Sequence, residues 1–136
     1  MRIVLDTNVF ISGIFWDGNF CSKIIDKWKN EEFELVSSLE IIEELLNTLK
    51  HFKIQLDEET IESWRNVIIE RAIIAESSER LDVIKEDPND NKFLETAIAG
   101  KADFIITQDN HLLKVKRLNN VMILNPEEFL KLSKFN

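Results

Sequence analysis

The sequence holds a single cysteine, Cys21, in 136 residues, with two histidines, three glycines, two prolines and no tyrosine. One cysteine excludes an internal disulfide framework and any thiolate metal cluster within one chain, and sets the expectation of a reducing, cytoplasmic setting. His51 and His111 are too few for a histidine-rich zinc site, and neither sits in a nucleophile-elbow sequence. The glycines, at 13, 18 and 100, form neither G-x-G-x-x-G nor G-x-x-x-x-G-K-[ST]. A glycine loop for cradling nucleotide phosphates is therefore not expected. No apolar run approaches the ~18 residues that span a bilayer. The opening Met1-Arg2-Ile3-Val4-Leu5-Asp6 brings charge too early for the apolar region of a signal peptide.

Carboxylate is what the chain has in excess. Asp and Glu number 25 against 17 Lys and Arg, a formal net charge of −8. A hydrophobic fraction of 44% is enough for a core. The length fits one domain over 1–136, since domains most often run to roughly 100–150 residues. Any enzymatic chemistry should run on Asp and Glu, and so on a hard, oxygen-preferring cation such as Mg²⁺ or Mn²⁺.

Short apolar runs alternate with longer amphipathic stretches. Ile3-Val4-Leu5, Phe33 to Val36, Ala72 to Ala75, Phe104-Ile105-Ile106 and Val121 to Leu124 read as strands. Between them, helical spacing marks Asn19 to Asn30, Leu39 to Phe52, Asp57 to Arg71 and Asn89 to Ala99, with Gly100 as a stop. Pro126 suits the first turn of a last helix, about Glu127 to Leu132. Continuous apolar strands suggest burial on both faces. The β-α-β-α order then predicts a three-layer α/β/α sandwich with a mostly parallel sheet of about five strands.

In such sheets ligands bind beyond the carboxyl ends of the strands. Asp6 directly follows the first strand, with Thr7 and Asn8 behind it. Thr107-Gln108-Asp109 follows Phe104-Ile105-Ile106, and Asp87-Pro88-Asn89-Asp90 opens the preceding helix. Ser37-Ser38 leads into a helix carrying Glu40, Glu43 and Glu44. Acids from four parts of the chain can thus meet at one sheet edge, where like charges repel and a divalent cation offsets the repulsion. Each has a plainer alternative. Asp6, Asp87, Asp90 and Asp109 suit helix N-termini, and the glutamates suit a solvated face.

These residues resemble the PIN-domain ribonucleases, and within them the VapC-like toxins of prokaryotic toxin–antitoxin systems. Leu5-Asp6-Thr7-Asn8-Val9 is similar to the family's opening motif, and Ser38-Leu39-Glu40-Ile41-Ile42-Glu43-Glu44-Leu45 to its second. Asp87-Pro88-Asn89-Asp90-Asn91-Lys92-Phe93-Leu94 is similar to its Asp-rich turn, and Thr107-Gln108-Asp109-Asn110-His111-Leu112-Leu113 to its T-x-D element. The four occur in order along nearly the whole chain.

The resemblance implies Asp6, Glu44, Asp90 and Asp109 as metal carboxylates for Mg²⁺ or Mn²⁺, with Thr107 and Asn8 as supporting catalytic groups. Leu45 selects Glu44 by the family pattern, while helical spacing alone leaves Glu43 open. Gln108 stands where the subgroup commonly has glycine, and Asn89 where many members have Asp. The implied activity is metal-dependent endoribonuclease cleavage of RNA. The implied partners are a small cognate antitoxin protein and a second copy of the chain in a homodimer.

Net negative charge sits awkwardly with an RNA substrate. Residues 1–89 carry 10 basic and 19 acidic groups, a sum of −9, and residues 90–136 carry 7 and 6, a sum of +1. Lys114, Lys116 and Arg117, with Lys131 and Lys134, are candidate phosphate contacts or plain surface lysines and arginine. The rival reading is a catalytically inactive PIN-like module that binds a protein. An aspartyl-phosphate phosphatase would want a second acid where Asn8 stands. Trp16 is a candidate for the cleft or a dimer contact. Cys21 reads as core, and His111 as near the site or simply surface.

Overall fold

The computed structural model describes residues 1–133, and Lys134 therefore lies outside the described residues. The elements run β1 (Arg2–Leu5), α1 (Thr7–Phe15), α2 (Phe20–Lys29), β2 (Glu34–Ser37), α3 (Leu39–Lys50), α4 (Glu58–Arg71) and β3 (Ile73–Ile74). A 3-10 turn (Pro88–Asp90) then leads into α5 (Asn91–Ala99), β4 (Phe104–Ile106), α6 (Asn110–Leu113), β5 (Arg117–Leu118), β6 (Val121–Leu124) and α7 (Pro126–Ser133). The sheet order is β3-β2-β1-β4-β6-β5. All pairings are parallel except β5 with β6.

Strand side chains alternate between two apolar layers. Ile3, Leu5, Leu35 and Ile106 join residues of α1–α4 and α7 on one face, including Phe10, Trp28, Leu45 and Ile68. Val4, Val36, Ile105 and Ile123 join Phe93, Leu94 and Ala97 of α5 and Leu112 of α6 on the other. Each such large apolar side chain contributes roughly 1.5–3 kcal/mol on burial. This is the expected α/β/α arrangement, with one strand more than expected. The addition, β5, is two residues long and antiparallel, too short to leave a period in the sequence.

α1 is the larger departure. Its sequence TNVFISGIF is rich in β-branched residues and contains glycine, so its intrinsic helix propensity is poor. It is helical because Val9, Phe10 and Ile11 are buried against the sheet and α2. Gly13 permits the approach of α2, since a Cβ there would fall 2.6 Å from Ile25 Cγ1 and 2.9 Å from the Cys21 carbonyl oxygen.

The chain lays β2 and β3 to one side of β1, then returns to lay β4 and β6 on the other. The order therefore reverses between β1 and β4. The crevice beyond their carboxyl ends is where an open parallel sheet offers a binding site. Among the described residues no helix is long and apolar enough to cross a membrane.

Candidate metal centre

Register places the first two site residues side by side. Leu5 pairs with Ile106, so the residues that follow, Asp6 and Thr107, leave the sheet as neighbours. The Asp6 N–H still donates to the Ile106 carbonyl at 3.0 Å. Thr107 is fully buried, and its hydroxyl donates to Asp6 Oδ2 at 2.7 Å while accepting the Asp109 N–H at 2.9 Å. One hydroxyl thereby fixes an acid from each of two strand ends. Burial pushes the Asp6 carboxyl up from its ordinary range. Its hydrogen bonds to Thr107 and the Thr7 N–H oppose that, and the charges of Asp109 and Glu44 add to it.

The capping alternatives divide. Asp109 Oδ1 accepts the His111 N–H at 2.8 Å and so caps α6. Asp6, Asp87 and Asp90 occupy N-terminal positions, yet none makes a side-chain capping bond.

Asp87 and Asp90 are delivered from the other direction by a buried asparagine. Asn91 Oδ1 accepts the N–H groups of Val83 (3.1 Å) and Ile84 (2.9 Å). Its Nδ2 donates to the carbonyls of Ile84 and Pro88, both at 3.0 Å. The irregular stretch before α5 is thereby tied to the helix start, and Asp87 and Asp90 are held beside β4. One ligand atom from each of Asp87, Asp90, Asp109 and His111 lies within 4.8 Å of all the others.

Asp90 is 8% exposed, and its Oδ2 has no hydrogen-bond partner. Its pKa is pushed up to about 8, first by burial, then by the hydrogen bond and charge of Asp109, then by the charges of Asp87 and Asp6. A buried carboxylate oxygen without a partner is costly, and a cation supplies both the partner and the missing charge. Three carboxylates and an imidazole at this spacing can hold a divalent metal ion.

Of the four expected metal carboxylates, Asp90 and Asp109 belong to that grouping, whereas Asp6 and Glu44 stand outside it. The Thr7 hydroxyl donates to Glu44 Oε2, and Lys92 Nζ (2.7 Å) and Asn89 Nδ2 (3.2 Å) donate to its Oε1. Burial would raise the Glu44 carboxyl, but Lys92, Thr7 and Asn89 together hold it below the usual range. These contacts tie Glu44 to both α1 and the Asp-rich turn. Glu43 is exposed along the adjoining groove. Asn8 is exposed on the first turn of α1.

Sequence reasoning kept Asp87 and His111 outside its chosen set and did not find Lys92. The Lys92 side chain is 5% exposed. α5 is buried nearly all round, from Asn91 to Ala97, because the preceding irregular stretch covers its polar side. Glu95 in that helix accepts the Leu81 N–H at 2.8 Å. The polar run Asn89-Asp90-Asn91-Lys92 at the mouth of an apolar helix was the available signal.

Trp16 does not line the acidic site. It follows the last residue of α1, about 13 Å along the axis from the Asp6 end at 1.5 Å per residue, and packs edge-on to Phe15 and Phe52. Cys21 is buried, and burial raises its thiol pKa. Lys114 and Lys116 are exposed between α6 and β5, and Arg117 is exposed as the first residue of β5.

Comparison with known proteins places this geometry in context. The uncharacterized protein MJ1680 of Methanocaldococcus jannaschii is 28% identical over 142 residues, covering 96% of this chain and 90% of that protein. The crystal structure of VapBC2 from Rickettsia felis bound to a DNA fragment from their promoter is similar in fold, with TM-score 0.61 at 18% identity. It covers 92% of this chain and 98% of that one. FitAcB from Neisseria gonorrhoeae is similar with TM-score 0.55 at 17% identity and the same coverage. The PIN domain family model matches residues 2–111, a span that contains Asp6, Glu44, Asp90 and Asp109. The chain therefore belongs to the PIN domain family.

Proposed function

We infer that this protein is a divalent-metal-dependent endoribonuclease and acts as the toxin of a toxin–antitoxin pair. The observation that carries the reading is Asp90, a buried carboxylate with one unpartnered oxygen, facing acids brought from a different part of the chain. Family membership and the fold shared with VapBC2 and FitAcB support it.

Asp90 and Asp109, with Asp87 alongside, would hold Mg²⁺ or Mn²⁺. Asp6 adds negative charge that Asp90 feels. When bound, such an ion lowers the pKa of water and withdraws charge from a phosphoryl oxygen. Thr107 fixes the orientation of Asp6 and of the Asp109 backbone through its two hydrogen bonds. Glu44, kept ionised by Lys92 and Thr7, can accept a hydrogen bond from a water or a ribose hydroxyl in the groove. Asn8, exposed beside Asp6, is available to the substrate. Lys114, Lys116 and Arg117 offer positive charge beyond Asp109 for RNA phosphates. A small antitoxin and a second copy of the chain are the partners this reading assigns.

RNA cleavage by purified protein, with Mg²⁺ or Mn²⁺ and with chelator, tests the proposal. Activity should need the ion and should fall sharply in Asp6→Asn and Asp90→Asn variants that remain folded. Equal activity in wild type and variants refutes the site. The net charge of −8 favours the second reading, an inactive protein-binding module. A protein that binds no divalent ion and cleaves no RNA supports it.

A further inference from the structure

The resemblance supplies four carboxylates to the site, but the geometry brings in an imidazole. His111 has its backbone N–H fixed on Asp109 Oδ1 at 2.8 Å, and its ring Nδ1 stands 3.8 Å from the same oxygen. That separation exceeds a hydrogen bond, so the ring is not consumed by its neighbour. The ring is 40% exposed, on a backbone fixed by that N–H bond. One of its nitrogens already lies within 4.8 Å of ligand oxygens from Asp87, Asp90 and Asp109. Asp90 Oδ2, more than nine-tenths buried and without a partner, independently marks the same spot as a place for a cation.

Mg²⁺ is a hard ion that takes oxygen ligands and retains its waters. First-row transition ions accept imidazole nitrogen, and their affinity for mixed nitrogen and oxygen sets rises along the series from Mn²⁺. An all-carboxylate cluster discriminates weakly between Mg²⁺ and Mn²⁺. Exchanging one oxygen donor for nitrogen tilts the choice.

We propose that His111 is a ligand to the divalent ion at the Asp87–Asp90–Asp109 cluster, and that its nitrogen selects Mn²⁺ and later first-row ions over Mg²⁺. The inference rests on the metal-dependent reading above and adds to it the identity of the ion.

The test uses the full chain and Mn²⁺ itself. Pulsed electron paramagnetic resonance of the bound ion reports nitrogen coupling directly, and ¹⁵N-histidine labelling assigns it to imidazole. His51 is the internal control. Its Nδ1 is 2.9 Å from the Asn47 carbonyl at the end of α3, so His51→Ala should leave the coupling intact. His111→Ala should abolish it. The same substitution should weaken Mn²⁺ binding about tenfold or more, the scale on which altering even an outer partner of a ligand acts. Mg²⁺ binding should change less than about threefold, since Mg²⁺ gains little from nitrogen. His111→Asp should shift the preference toward Mg²⁺. Mn²⁺ bound to wild type without nitrogen coupling would overturn the inference and leave the metal-dependent reading standing. Equal weakening of both ions in His111→Ala would do the same. Wild-type protein that binds neither ion would overturn both.

Discussion

Replacing Asp90 by asparagine should stabilise the metal-free protein while removing its activity. Asparagine keeps the shape of the side chain and loses its charge. In the folded protein Asp90 holds its proton up to about pH 8, whereas the reference value of an unperturbed Asp is 3.8. Between those values the folded state binds more protons than the unfolded one, so stability falls as pH rises. Asp6, also raised by burial, contributes with the same sign.

The interval is about four pH units, and each is worth about 1.4 kcal/mol, which sets a ceiling of ~6 kcal/mol. Asp109 interacts with the same proton, and removing one charge also relieves its neighbours. The expected gain for Asp90→Asn at pH 8.5 is therefore ~2–4 kcal/mol. For a domain of this size that corresponds to a rise of roughly 8–16 °C in Tm. At pH 5, where wild-type Asp90 is already protonated, the two proteins should agree within about 1 kcal/mol.

Thermal unfolding in chelator at both pH values provides the measurement. Added Mn²⁺ at a hundred times its Kd should raise wild-type stability by about 2.7 kcal/mol and the variant by much less. An Asp90→Asn protein no more stable than wild type at pH 8.5 would refute the claim that this carboxylate is buried against its neighbours' charge.

Thr107→Val keeps the side-chain volume but removes the hydroxyl that joins Asp6 to the Asp109 backbone. It should cost about 1–3 kcal/mol in denaturant unfolding, and RNA cleavage should fall roughly 10–100-fold. Lys92→Met leaves Glu44 without its cation. Glu44 remains partly exposed, so the loss should be about 1–2 kcal/mol, less than for a fully buried pair. The wild-type Glu44 pKa is held below 4.5, so its contribution is present above that pH and fades as pH falls through the folded value. Acid unfolding of wild type should show that loss, and Lys92→Met should show a smaller one, since the hydrogen bonds from Thr7 and Asn89 remain. Gly13→Ala should destabilise by about 1–3 kcal/mol through overpacking of α1 on α2, read from the unfolding midpoint.

The sheet was legible because its physics is local. Ile3-Val4-Leu5 and Phe104-Ile105-Ile106 are apolar on both faces, and both faces are buried. Asp6, Thr107 and Asp109 could be placed because a strand's end determines where the next residues go. α1 was not legible, since its helicity comes from tertiary burial acting against propensity. β5 was too short to carry a pattern. Asp87 and His111 were named near the site but left out of the chosen ligands, because the approach of the Asp87 turn to the Asp109–His111 segment depends on an irregular stretch with no period at all. That stretch is held in place by the side chains of Asn91 and Glu95, whose partners lie three to fourteen positions earlier in the sequence. Lys92 escaped for a related reason, since a lysine at a helix start normally faces water, and here covering chain excludes it.

The four residues Asn89 to Lys92 show how such a site is assembled from one short run. The passage from a 3-10 turn into α5 points consecutive side chains in different directions. Asn89 and Lys92 reach Glu44 on α3. Asp90 faces Asp109 beyond β4, and Asn91 turns back to hold Ile84 and Pro88. Acids pooled in this way repel one another unless something relieves them. Lys92 relieves the Glu44 side permanently, whereas among the described residues no cation pairs with Asp90. The asymmetry makes physical sense if the Glu44 carboxylate must stay ionised at all times and the Asp90 cluster must stay open to an exchangeable ion. A second lysine beside Asp90 would stabilise the fold and close the site.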